Sequence, residues 1–118
     1  MDKTQVQSPE NMQIVEDTIE TAIHGASGEW IAMVKHGAAV PLDDERRLAK
    51  LVADGDTIDI RPEEEHIYYA LTRSKMMDAI ADYCLTNDLC KNCFQVECDD
   101  LIADVILQHA LFGEARYG

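Results

Sequence analysis

The four cysteines of this chain carry its clearest chemistry, because all of them fall within fifteen consecutive positions. They follow the spacing C-x5-C-x2-C-x4-C and are Cys84, Cys90, Cys93 and Cys98. Four thiolates that meet at one point satisfy the tetrahedral geometry of Zn²⁺, and the C-x2-C turn supplies two of them from a short loop. The pattern predicts a structural Zn²⁺ site, since a shell of four cysteines leaves no open position for a substrate.

Three other uses of these thiols stay open. An iron-sulfur cluster also takes four cysteines, although the spacing matches neither common ferredoxin pattern. A metal-dependent or thiol redox centre at Cys90 and Cys93 would need a strand before the pair and a helix directly after it, which the sequence does not favour. Cys84 lies at helical spacing from Ile80 and Ala81, so it also fits as a small core residue, which would leave three ligands.

Two helices must position the cysteine site. The first is expected over about 75–87 and places Cys84 on the buried side of its last turn. The second begins at Asp99 and Asp100, where acidic residues suit the positive end of a helix. Cys98 lies at or just before that end, which favours its thiolate form. One metal ion would then join the last two helices.

The final helix is apolar around most of its circumference, with a narrow polar strip of Asp100, Asp104 and Gln108. A helix of this kind is surrounded by other protein. We therefore expect either the core of the monomer or another chain to cover it. Because soluble monomers avoid large exposed apolar patches, we predict that Leu107 or Leu111 lies at an interface with a second subunit or a partner protein.

The remaining segments predict an α+β fold. Capping residues and helical spacing indicate helices from 8 to 25 or 28 and from 43 or 44 to 54. Short apolar runs and alternation indicate strands over 30–35, 38–42 and 56–61. The strand over 38–42 is expected at an edge of the sheet, because Pro41 is tolerated only there. Residues 62–72 suit either the start of a helix or a turn and strand, and we favour a strand followed by a helix. The expected architecture is a small antiparallel sheet covered by about four helices, the last two joined by the four-cysteine metal site.

The domain organisation follows from the length of 118 residues, which suits one domain. We expect a disordered N-terminal tail over 1–7, a single α+β domain over 8–113 and a C-terminal tail over 114–118. The N-terminus lacks the basic and apolar regions of a secretory signal, and no apolar run reaches the ~18 residues of a membrane span. These features favour a cytoplasmic protein with reduced thiols and without a membrane partner.

The formal net charge of −13 disfavours general attraction to nucleic acid or to an anionic membrane surface. Basic residues gather at Arg46, Arg47 and Lys50, but acids flank them, so local ion pairs on a solvated helix explain them best. The sequence contains no Walker loop, no G-x-G-x-x-G and no G-x-S-x-G motif. Together with the scattered histidines, these observations favour a protein that is not an enzyme.

The functional hypothesis is therefore an acidic, zinc-stabilised intracellular protein that binds and modulates another protein. In general character such a chain is similar to small proteins of phages and mobile elements. A sharper form of the hypothesis is an inhibitor that presents carboxylates to a nucleic-acid-handling enzyme in place of phosphates. The alternatives are the redox protein at Cys90 and Cys93 and a helix-turn-helix transcriptional regulator, which the net charge opposes.

Overall fold

An antiparallel sheet of four strands forms one layer of the fold. The computed structural model describes residues 9–86 and 99–117 of the chain. The strands in these ranges pair in the order β2-β1-β3-β4, and their bounds are Ile31–His36 (β1), Ala38–Val40 (β2), Ile58–Pro62 (β3) and Tyr69–Leu71 (β4). This arrangement confirms the predicted α+β class and the small antiparallel sheet.

The alternating sequence of β3 explains how the sheet is oriented. Ile58 and Ile60 are fully buried, whereas Asp59 and Arg61 between them are half-buried. Side chains alternate between the faces of a strand, so one face of the sheet meets the core and the other is partly open. β2 is an edge strand, as expected from Pro41 directly after it.

Four helices accompany the sheet within the described residues, as the sequence predicts. Their bounds are Pro9–His24 (α1), Glu45–Ala53 (α2), Arg73–Thr86 (α3) and Asp100–Phe112 (α4), and a short 3-10 helix at Ala26–Glu29 follows α1. α4 begins where the Asp99 side chain accepts a hydrogen bond of 2.8 Å from the Ile102 backbone N–H. It ends at Gly113, whose φ of 75° is a left-handed conformation that favours glycine.

The ambiguous segment 62–72 contains a turn and then a strand. Residues 63 and 64 form the turn, which is tied to the sheet because the Glu63 N–H donates to the Trp30 carbonyl at 2.9 Å. β4 is shorter than the expected strand, and α3 begins two residues after it at Arg73. The preference for a strand followed by a helix is therefore confirmed.

The core lies between the inner face of the sheet and the helices. α1 packs against α2 and α4, and α4 also contacts α3 and β4. The largest fully buried apolar side chains come from every layer and include Ile19, Leu48, Ile58, Leu71, Met76 and Leu107. Among the helices in the described ranges, none has the length and apolar character needed to cross a membrane.

Candidate functional site

The predicted cysteine site lies largely outside the described residues. Cys84 belongs to α3, two residues before its end at Thr86, while Cys90, Cys93 and Cys98 fall in the segment 87–98. α3 and α4, which flank that segment, pack against each other. Within residues 9–86 and 99–117, no group of three or more His, Cys, Asp or Glu side chains is arranged to hold a metal ion. The zinc site thus stays a prediction from sequence.

An open acidic cleft of about 770 Å³ lies between α1, α2 and the start of α4. Four carboxylates lie along it, and we call this feature the acidic cleft. Its described lining residues are Asp17, Glu20, Thr21, His24, Gly25, Glu45 and Asp100. Because the lining combines four acidic side chains with one histidine, the cleft attracts cations and positively charged groups.

Gly25 brings the start of α4 into this cleft. A Cβ atom added at Gly25 would lie 2.3 Å from the Asp100 Cβ and 2.8 Å from its Oδ2. Real Cβ atoms do not approach each other so closely, so only glycine permits this packing. The glycine after α1 therefore positions an α4 carboxylate beside the carboxylates of α1.

Polar side-chain contacts connect α1 to α2 along the acidic cleft. The His24 Nδ1 lies 3.1 Å from the Glu45 Oε1, and the Arg46 Nε lies 3.8 Å from the Glu20 Oε1. On the outer side of α2, the Lys50 ammonium lies 3.8 Å from the Asp54 carboxylate one turn away. The Lys50–Asp54 pair is local, as expected for the basic residues of this helix, whereas Arg46 pairs with a residue of α1.

A buried polar network lies at the centre of α4. Asp104 is 6% exposed, and its Oδ1 accepts hydrogen bonds from Ser27 Oγ at 2.6 Å and Trp30 Nε1 at 2.7 Å. Its Oδ2 accepts a 2.9 Å hydrogen bond from Gln108 Nε2. Within the described residues, every fully buried side-chain nitrogen or oxygen has a hydrogen-bond partner. The expected polar strip of this helix is thus largely internal, and only Asp100 faces solvent.

A second polar cluster centres on Glu65. Tyr117 donates a 2.6 Å hydrogen bond to one carboxylate oxygen, and Tyr69 donates to the other. The Arg116 guanidinium lies 3.5 Å from the same carboxylate. Hydrogen bonds from Tyr117 and then Tyr69, assisted by the charge of Arg116, lower the pKa of Glu65. Burial, and then the hydrogen bond to Glu65, raise the pKa of Tyr117 to about 12.

The two clusters concern the middle of α4 and the segment that follows it. Residues 114–117, expected as part of a tail, are attached to the domain through Arg116 and Tyr117. The sequence signal for the buried network was the pair Asp104 and Gln108 at helical spacing in an otherwise apolar helix, in a chain with one tryptophan. No local sequence pattern connects Asp104 and Gln108 with Trp30, which lies about 74 positions earlier in the chain.

The two leucines expected at an interface lie in the core of the chain itself. Leu107 is 0% exposed and Leu111 is 7% exposed, because α1, α3 and β4 surround α4. Neither side chain is therefore available to a partner. Leu101, which is 65% exposed, is the large apolar residue that α4 presents to solvent.

The comparisons with known proteins give no relative for this chain. No protein-family model, curated protein or solved structure matches it.

Proposed function

We propose that this protein is a non-enzymatic intracellular protein that binds a basic segment of another protein in its acidic cleft and thereby modulates that protein. The observation that carries the proposal is the convergence of carboxylates from three helices, Asp17 and Glu20 from α1, Glu45 from α2 and Asp100 from α4. These carboxylates come from distant parts of the sequence, so the cleft is a product of the fold.

The charge of the whole molecule supports the same function. A net charge of −13 draws a basic partner toward the protein, and a concave surface lined by one sign of charge focuses that attraction. Such steering raises association rates and selects against acidic partners. In a sharper form of the proposal, of the kind found among phage or mobile-element inhibitors, the cleft carboxylates replace the phosphates that a nucleic-acid-handling enzyme normally binds.

The burial of α4 favours this proposal over a helix-turn-helix regulator. A recognition helix must present several side chains to the major groove. In α4 the side chains of Ala103, Ile106 and Leu107 are at most 1% exposed, and the helix starts with acidic residues that oppose phosphates. The redox alternative at Cys90 and Cys93 concerns residues outside the described ranges and has no support from the described residues.

We also propose that a structural Zn²⁺ ion bound by Cys84, Cys90, Cys93 and Cys98 stabilises the junction of α3 and α4. The support is the cysteine spacing in the sequence together with the packing of the two helices that flank it. Elemental analysis of protein purified anaerobically without chelator should give about one zinc per chain. The Cys93→Ser variant should melt at a markedly lower temperature, because ligand loss reduces the folding free energy. Metal-free protein with four titratable thiols would contradict this proposal.

The binding function is tested by fluorescence anisotropy with a labelled octa-arginine peptide. The cleft variant, Asp17→Asn with Glu20→Gln, removes two charges from the acidic cleft. The matched control, Glu63→Gln with Glu64→Gln, removes two charges from the exposed turn after β3. We expect the cleft variant to bind the peptide several-fold more weakly than the control, and the difference to shrink as salt is added. Equal affinities of the two variants would contradict a role for the cleft.

A further inference from the structure

The Gln108 side chain holds the segment that follows α4 through hydrogen bonds to the backbone of that segment. Gln108 Oε1 accepts hydrogen bonds from the backbone N–H groups of Arg116 at 2.6 Å and Tyr117 at 2.7 Å. Its Nε2 donates to the Tyr117 carbonyl at 2.6 Å. One amide thus pairs with both donors and acceptors of the backbone, in the way that proteins recognise a bound peptide. We call residues 114–117 the closing segment.

The Tyr117 side chain fills an aromatic site beside this amide. Its ring stacks on Trp30, with the ring centroids 5.2 Å apart and an interplanar angle of 14°. Phe112 meets the same ring edge-on at 5.9 Å. The phenol hydroxyl donates to Glu65, so the site binds both the apolar body and the polar tip of a tyrosine.

Arg116 completes the contacts of the closing segment. Its guanidinium carbon lies 4.8 Å above the Phe112 ring and forms the ion pair with Glu65 described above. The guanidinium also donates to the Tyr69 hydroxyl at 3.1 Å. The contacts therefore select an arginine followed by a tyrosine through charge, ring stacking and hydrogen bonds.

The buried network positions two side chains of this site. The Asp104 carboxylate accepts hydrogen bonds from the Trp30 indole Nε1 and from the Gln108 amide Nε2. Gln108 is 0% exposed with the closing segment in place, and of its four hydrogen bonds the one to Asp104 does not involve that segment. The connection to α4, in contrast, runs through Gly113 and two exposed residues, Glu114 and Ala115. The site is thus joined to its occupant by an exposed link.

We infer that Trp30, Glu65, Tyr69, Gln108 and Phe112 form a binding site for an arginyl-tyrosyl peptide segment, and that the closing segment occupies it as an internal ligand. The described lining of the acidic cleft includes none of these five residues. An Arg-Tyr segment of another protein enters the site when the closing segment leaves it. The internal ligand therefore lowers the apparent affinity for the external one in proportion to the fraction of molecules in which the site is open.

The test uses the full chain with Tyr117→Ala, which weakens the internal ligand and leaves the binding site unchanged. The probe is the peptide acetyl-EARYG-amide, and acetyl-EARAG-amide is the control. The chain has one tryptophan, so the fluorescence of Trp30 reports directly on stacking by the added tyrosine. We expect saturable binding of the tyrosine peptide to Tyr117→Ala, and binding about tenfold or more weaker to the wild-type protein, which retains its competitor.

Further variants keep the test independent of one substitution. Adding Glu65→Gln to Tyr117→Ala should weaken peptide binding several-fold, because the acceptor of the tyrosine hydroxyl loses its charge. If circular dichroism shows that Tyr117→Ala is unfolded, the titration is made with Arg116→Ala, in which the aromatic contacts remain and the ion pair is lost. The inference is overturned by the absence of saturable binding to a folded variant. Equal binding of the two peptides, or equal binding to wild-type and variant protein, would overturn it as well.

Discussion

Replacing Asp104 with Asn tests how the buried network holds the fold, because it changes one atom of the side chain and almost nothing of its shape. The asparagine oxygen can replace Oδ1 and accept from Ser27 and Trp30. Its amide nitrogen then faces the Gln108 nitrogen, which in the wild-type protein donates a 2.9 Å hydrogen bond to Asp104. Two donors oppose each other in the core, and one hydrogen bond to a charged acceptor is lost.

Rotation of either amide does not relieve this conflict. If the new Asn turns its nitrogen toward Trp30, the indole N–H loses its acceptor instead. If Gln108 rotates, its oxygen leaves the backbone N–H groups of Arg116 and Tyr117. A buried donor without an acceptor costs about 1–3 kcal/mol, partly offset because a neutral side chain is easier to bury than a carboxylate. We therefore expect Asp104→Asn to lower the free energy of unfolding by about 1–3 kcal/mol.

Urea unfolding monitored by Trp30 fluorescence and by circular dichroism measures this change. The matched control is Asp100→Asn, the same substitution at an exposed position of the same helix, for which we expect a loss of about 0.5 kcal/mol or less. A loss of about 2 kcal/mol corresponds to a melting temperature lower by on the order of 10 °C for a domain of this size. If Asp104→Asn were as stable as Asp100→Asn, the hydrogen bonds assigned to Asp104 would not contribute as described.

Three further predictions follow from the packing and the titrating groups. Gly25→Ala should cost about 1–3 kcal/mol in urea unfolding, and less in an Asp100→Gly background, where the opposing Cβ is gone; equal costs in both would contradict the close approach. Leu111→Glu should unfold the chain in circular dichroism, since it buries a charge, and a native spectrum would contradict the burial of this side chain. Stability from Glu65 should be complete above its ordinary pKa of 4.5 and be lost as the pH falls through its lowered pKa. Stability from Tyr117 should be complete below pH 10.0 and be lost as the pH rises toward about 12. The difference in unfolding free energy between wild-type protein and Tyr117→Phe should therefore shrink at both extremes, and a constant difference would contradict these contacts.

The sequence was sufficient for the architecture because its signals are local. The alternation in β3, the acids that open α4 and Gly113 at its end each determine a short segment without reference to the rest of the chain. Those signals correctly predicted four helices, the antiparallel sheet and β2 as an edge strand.

The acidic cleft and the site of the closing segment depend on contacts between distant parts of the chain, which no local sequence pattern predicts. The acidic cleft joins Asp17 to Asp100 across most of the chain, and the closing segment reaches Glu65 and Trp30. The apolar character of α4 showed that the helix is surrounded, but the sequence alone did not show by what. Burial of Leu107 within the chain answers that question, because α1, α3, the 3-10 helix and β4 pack around the helix.

The most direct test of the proposed function is a titration of ¹⁵N-labelled protein with the octa-arginine peptide, followed by amide chemical shifts. If the acidic cleft is the binding surface, the largest changes will fall on residues 17–25, Glu45 and Asp100, and the cleft variant will lose them while the control variant keeps them. Changes of equal size over all acidic surfaces, or changes concentrated at Glu63 and Glu64, would contradict the proposal.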